Sequence, residues 1–106
     1  MYPGDTFGAD LSYRSGQANV HLKGELDLAA HEAFLGALGE AEASESPLVV
    51  VDIRELRFID SSGIRALFMA LDRASQNNHR VIFTEGTQVV ERTLELAGVT
   101  RLLPRS

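Results

Sequence analysis

The segment Leu48–Phe68, LVVVDIRELRFIDSSGIRALF, decides how this chain folds. Its first six residues, Leu48 to Ile53, form an apolar, largely β-branched run, the pattern of a central strand buried on both faces. From Ile64 the period changes. Ile64, Leu67, Phe68 and Leu71 recur at i, i+3, i+4 and i+7, the core-facing stripe of an amphipathic helix. Between the two patterns stand Asp60, Ser61, Ser62 and Gly63. The first three are all good N-cap types, whose side-chain oxygens accept from the orphan N–H groups of a first helical turn. Gly63 permits a tight bend into the helix. A buried strand feeding a helix in this way is one unit of an α/β crossover fold.

Working outward, Phe7–Arg14 and Ala18–Leu26 flank the turn-like SGQ, and Val20 and Leu22 alternate with Asn19, His21 and Lys23. That alternation predicts an antiparallel hairpin with one solvated face. LDLAAHEAFLGALGEAEA, residues 26–43, predicts a helix capped by Asp27, with Phe34, Leu35, Leu38 and Ala41 on one side. Gly36 and Gly39 oppose it, each costing about 1 kcal/mol relative to alanine, and SESP ends it. Beyond the second helix SQNNH is a break, and RVIFTE, residues 80–85, supplies another buried strand. Thr87 can cap a third helix whose Val90, Leu94 and Ala97 share a face. Gly98 stands where a C′ glycine belongs, and Val99 is placed to pack back on Leu94 in a Schellman motif. RLLP suggests a last short strand. The order β-β-α-β-α-β-α implies a small mixed sheet of four to five strands with crossover helices. No linker or repeat divides residues 1–106, which read as a single domain.

Composition narrows the function. The 106 residues are 44% hydrophobic and 24% charged, ordinary values for a globular domain and too apolar for disorder. A formal charge of −5 argues against binding nucleic acid through its backbone. The absence of cysteine removes disulfides and thiol chemistry. MYPGDTFGAD has no basic or apolar signal-peptide regions, and no apolar run approaches the roughly 20 residues that span a bilayer. The expectation is a cytoplasmic protein without membrane insertion.

The candidate chemistry lies at the serine pair. One reading is capping alone. The other uses the same geometry: a serine at a helix N-terminus sits among free N–H groups at positive potential and can hold a phosphate after transfer. Hydrolase chemistry fits poorly, because Ile-Asp-Ser-Ser-Gly lacks the first glycine of Gly-x-Ser-x-Gly and nothing brings His21, His31 or His79 to Ser61. The three histidines have no metal-ligand spacing and read as surface residues. There is no P-loop motif. Asp27, Asp52 and Asp60 fall near predicted strand ends and resemble the acidic cluster of a response-regulator receiver, but that fold needs more chain. Asp52 reads as a capping, solvated carboxylate, whereas Asp27 and Asp60 are placed either to cap or to tune a nearby phosphoacceptor.

GELD at Gly24–Asp27, LVVVDIRELRFIDSSGIRAL at Leu48–Leu67 and VERTLELAGVTRLL at Val90–Leu103 occur in one order. Together they resemble the STAS domain of the anti-sigma-factor antagonist (anti-anti-sigma) family over nearly the whole chain. The resemblance, not the local residues, selects Ser61 over Ser62 as phosphoacceptor. It implies a non-enzymatic switch in transcription regulation and stress response, with no cofactor of its own. The unphosphorylated form would bind an anti-sigma-factor serine kinase and so free the sigma factor. The kinase, which holds the ATP, would phosphorylate Ser61, and a serine phosphatase would reverse this. Asp60, Ser62 and Gly63 would belong to the partner-binding loop and Asp27 to a neighbouring loop at the same end of the sheet. On the second helix Arg65, Ala66, Met69 and Asp72 fall off the predicted core stripe, and Arg65, Ala66 and Met69 extend the expected docking face. Arg65 stands where some members have a small residue, and the extra C-terminal helix of some members is absent. The alternative is a constitutive STAS scaffold or a subunit of a stressosome or lipid-transport complex; the free-standing length disfavours an anion-transporter tail.

Overall fold

The computed structural model describes residues 7–106. Strands β1 (Phe7–Arg14) and β2 (Gln17–Leu26) form the hairpin, and helix α1 (His31–Ala43) follows. Then come β3 (Leu48–Ile59), α2 (Ser61–Gln76), β4 (Arg80–Phe83) and α3 (Gln88–Leu96). The sheet order is β1-β2-β3-β4, with β1 antiparallel to β2 and the other neighbours parallel. The fold is therefore mixed α/β in the predicted β-β-α-β-α-β-α order. The hairpin turn is Ser15–Gly16, and Gly16 takes φ +74°, a conformation glycine adopts without steric cost.

Each helix departs from its expectation in an informative way. Asp27 caps a 3-10 turn, Leu28–Ala30, rather than α1 itself, which starts at His31. Gly36 and Gly39 do not break α1, because Phe34, Leu38 and Ala41 on its inner side are completely buried. In α3, Thr87 accepts from the Val90 N–H at 3.3 Å. Its end is a full Schellman motif: the Val99 N–H donates to the Leu94 carbonyl and the Gly98 N–H to that of Glu95. Ala97, expected on the inner face, is instead the exposed C-cap residue. The tail is not a strand. It forms a 3-10 turn, Thr100–Leu102, buries Leu103, and touches the sheet through one bridge between Phe83 and Arg105.

The run expected as Leu48–Ile53 continues as strand to Ile59. Its register against β2 shifts twice, from His21↔Asp52 to Lys23↔Glu55 and from Gly24↔Leu56 to Glu25↔Phe58. At each bulge β3 carries one extra residue, so its inward positions become Ile53, Leu56 and Ile59 at a spacing of three. This hides the strand from a period-two reading. The five residues Val49 to Ile53 are buried, but not between two helix layers. Val49, Val51 and Ile53 join the core with the helices. Val50 and Asp52 point to a second face, a concavity of about 350 Å³ lined by strand and loop residues and Ser106.

Helix α2 is rotated from its predicted stripe. Its buried residues are Gly63, Ala66, Leu67, Ala70 and Ala74, while Ile64, Phe68 and Leu71 are only partly buried at the flanks. Small side chains occupy the line of closest approach. A Cβ built on Gly63 would lie 2.2 Å from the Leu26 carbonyl oxygen and 2.6 Å from Ile59 Cγ1. Gly63→Ala should therefore destabilise the fold by about 3 kcal/mol through overpacking. For a domain of this size that lowers the thermal midpoint by roughly 15 °C, measurable by circular dichroism. A midpoint equal to wild type would show that the backbone can move aside.

Candidate functional site at the carboxyl end of the sheet

Parallel pairing carries β2 and β3 to the same end, where Leu26 is in register with Ile59. Each strand is followed by an aspartate. Asp27 Oδ1 accepts from the Ala30 N–H at 3.1 Å, and Asp60 Oδ1 from the Gly63 N–H at 3.0 Å. The two loops are tied together, since the Asp60 N–H donates to the Leu26 carbonyl at 3.4 Å. Of the three candidate caps the structure uses Asp60. Ser61 is thereby the first residue of α2 and exposed, and Ser62 is the second and half-buried. Their hydroxyls are released from capping, and the free N–H groups of the first turn face the same solvent.

Ser61, Arg65, Met69 and Asp72 lie within one side of α2 by its 100° advance per residue. Arg65 and Asp72 are exposed and Met69 half-buried. Two expected surface residues are not on that surface. Ala66 is completely buried, because it belongs to the small-residue line against the sheet. Gly63 is buried beneath the loop, where it shapes the junction and offers no side chain. Leu28, with 73% of its surface exposed, stands at the same end and was not foreseen. An isolated leucine after a cap carries no periodic signal, so only its placement marks it.

The open sheet face holds a second polar cluster. Ser12 Oγ lies 2.8 Å from His21 Nε2, and His21 Nδ1 lies 2.9 Å from Asp52 Oδ2. Arg54 donates from Nε to Oδ1 at 2.9 Å and from its terminal nitrogen to Oδ2 at 2.8 Å. The Thr84 hydroxyl donates to Oδ1 at 3.2 Å and accepts from the Ile53 N–H at 2.9 Å. Asp52 is thus only 8% exposed, not the solvated carboxylate expected. The serine–histidine–aspartate sequence of atoms is that of a nucleophile, base and orienter. Here, however, both carboxylate oxygens are engaged by the Arg54 guanidinium, and the hydrogen-bonded series links β1, β2, β3 and the residue after β4. Its work is to clamp the sheet at the first bulge. His79 also differs from a surface histidine. Its side chain is 7% exposed, with Nε2 3.9 Å from Glu42, which pairs with Arg73.

The Arg54 side chain holds the Asp52 carboxyl well below the usual carboxylate range; burial opposes this, and the Arg54 backbone N–H and His21 add to it. A depressed folded-state pKa stabilises the fold above the unfolded value, about pH 4, and that stability is lost as pH falls below it. Wild type should therefore exceed Asp52→Asn in urea midpoint at pH 6, with the gap narrowing below about pH 4. A gap independent of pH would mean the charge of Asp52 contributes nothing.

Among the described residues no helix is long and apolar enough to cross a membrane. The family profile described as "Mlab, STAS domain" matches residues 10–104. The chain belongs to the STAS-domain family. The anti-sigma-F factor antagonist RsfB of Mycobacterium tuberculosis is 25% identical over 97 residues, spanning 92% of this chain and 79% of RsfB. An anti-sigma factor antagonist from Mycobacterium paratuberculosis has a similar structure, with a TM-score of 0.79 at 21% identity over 99% of this chain and 89% of that one. SpoIIAA, an anti-sigma factor antagonist, superimposes in its unphosphorylated form at 0.74, with 19% identity over 93% of this chain and 88% of that one. Its phosphorylated form, described as a Bacillus cell fate determinant, superimposes at 0.67, with 18% identity over 93% and 91%. These structural likenesses are likenesses of fold.

Proposed function

We propose that this chain is an anti-sigma-factor antagonist that works by partner switching. Unphosphorylated, it binds an anti-sigma-factor serine kinase and thereby releases the sigma factor. The Ser61 hydroxyl then attacks the γ-phosphorus of the kinase-bound ATP, its proton passing to a base of the kinase as ADP leaves. The phosphorylated form dissociates, and a serine phosphatase restores it. The chain itself is a substrate and not an enzyme, needs no cofactor and acts in the cytoplasm without direct contact to nucleic acid. The observation that carries this reading is the division of labour at the start of α2, where Asp60 caps and leaves Ser61 exposed. The names of RsfB and of the structural relatives support it.

The proposed docking surface consists of Asp27, Asp60, Ser61, Ser62, Arg65 and Met69, built on the junction that Gly63 shapes. A phosphate on Ser61 adds roughly −1.5 to −2 charges beside Asp60 and Asp27. In the free protein the first-turn N–H groups of α2 and the helix dipole tolerate that charge. In a complex the phosphate must be desolvated against a surface shaped for a neutral hydroxyl beside two carboxylates. Each 1.4 kcal/mol of that cost lowers affinity about tenfold. The switch requires no refolding. A second reading is a constitutive scaffold, or a stressosome or lipid-transport subunit, in which Ser61 stays unmodified.

Incubation with ATP and the purified anti-sigma-factor kinases of the organism that encodes this chain should phosphorylate one site, located by mass spectrometry at Ser61 and abolished in Ser61→Ala. Ser61→Asp should weaken kinase binding at least tenfold, about 1.4 kcal/mol or more. Phosphate retained in full by Ser61→Ala would transfer the assignment elsewhere, and no phosphorylation by any of these kinases would favour the scaffold.

A further inference from the structure

Leu28 is a large apolar side chain at the Ser61 end, 73% exposed, whose exposure the fold imposes. Leu26 before it is completely buried at the end of β2, and Ala30 after it is 3% exposed against the core. Asp27 holds the turn between them through the Ala30 N–H. With its flanks fixed inward, Leu28 points to solvent and the exposed Ala29 continues the apolar step. The turn lies against α2, and the loop it belongs to is hydrogen-bonded to the Asp60 backbone. Among the described residues, the hydrophobic core makes no use of the Leu28 side chain. A lone exposed leucine is ordinary on a protein surface. This one differs in its setting, next to two capping carboxylates and the exposed serine at the start of α2.

We propose that Leu28 is the apolar anchor of the docking surface and that it sets the strength of the phosphate switch. This rests on the partner-switching reading above. The occupant is the kinase, presenting an apolar pocket for the leucine and basic side chains that Asp27 and Asp60 already neutralise, so that no cation is left to receive a phosphate on Ser61. An anchor seated in a pocket excludes water from the contacts surrounding it. Ser61 lies in that surrounding zone, so a phosphate there loses its hydration when the complex forms. Without the anchor the zone stays wet, the phosphate keeps its water, and the same negative charge opposes binding far less. Leu28 therefore contributes twice: to affinity directly, and to the penalty for phosphate indirectly.

The test is a double-mutant cycle in which wild type, Leu28→Ala, Ser61→Asp and the double variant are titrated calorimetrically with the purified kinase that phosphorylates wild type. Leu28→Ala should leave the melting temperature unchanged, since the side chain packs on nothing in the core, and should weaken binding about tenfold, the loss expected of an anchor costing more than 1 kcal/mol. Leu28→Met should bind within about threefold of wild type, because methionine refills an apolar pocket of similar volume. Ser61→Asp should lose at least about threefold less affinity in the Leu28→Ala background than in wild type, a coupling beyond additivity. Leu28→Ala binding like wild type while Ser61→Asp still loses tenfold would overturn the anchor and leave the switch intact. Additive losses would overturn the coupling. If Ser61→Asp alone binds as well as wild type, the partner-switching reading itself fails.

Discussion

The contact on which this end of the molecule depends is the approach of Gly63 to the Leu26 carbonyl. A Cβ at Gly63 would come 2.2 Å from that oxygen, so no other residue fits without movement. The same carbonyl accepts the Asp60 N–H. Two loops far apart in sequence are thereby locked side by side, each ending in a capping aspartate. Parallel pairing of β2 and β3 brings them to one end, and the glycine lets α2 start directly over the other loop. That closure sets the Asp27 and Asp60 loops side by side at the proposed docking surface.

The line of small residues continues the same logic along α2. Ala66, Ala70 and Ala74 follow Gly63 at helical spacing and are all buried, so the helix axis sits close to the sheet. Ile64, Phe68 and Leu71 then fill the flanks. Hydrophobic periodicity weights large side chains and assigns the stripe to them. Packing at close range selects by size, and it moves Ala66 from the expected surface into the core. Dispersion contacts along such a line are individually weak but sum over the helix length.

The opposite face of the sheet is held by hydrogen bonds where the helix face is held by apolar burial. Ser12, His21, Asp52, Arg54 and Thr84 satisfy one another across β1, β2, β3 and the residue after β4, at the place where β3 carries its first bulge. A bulge leaves the ladder locally unpaired, and the Arg54 and Ile53 N–H groups released there are taken up by Asp52 and Thr84. The cluster is thus the polar counterpart of the hydrophobic core. It keeps the carboxyl half of β3 in the register that delivers Ile59 and Asp60 to the serine pair.

The order of elements, the hairpin, capping by Asp27 and Thr87 and the Schellman end at Gly98 were legible in the chain itself. Such features depend on residues close in sequence, whose hydrogen bonds and dihedral preferences are local. Periodicity also located the core of each helix to within a rotation about its axis. What only tertiary structure decided was register and closest approach. Nothing in RELRFI announces two bulges, nothing in His21 or Asp52 announces that they face each other, and alanine at 66 reads the same on a surface as in a core. Among Asp60, Ser61 and Ser62 the sequence admits three caps. The fold chooses Asp60, because the strand must end in extended backbone with its N–H on Leu26, and so leaves the Ser61 hydroxyl to solvent.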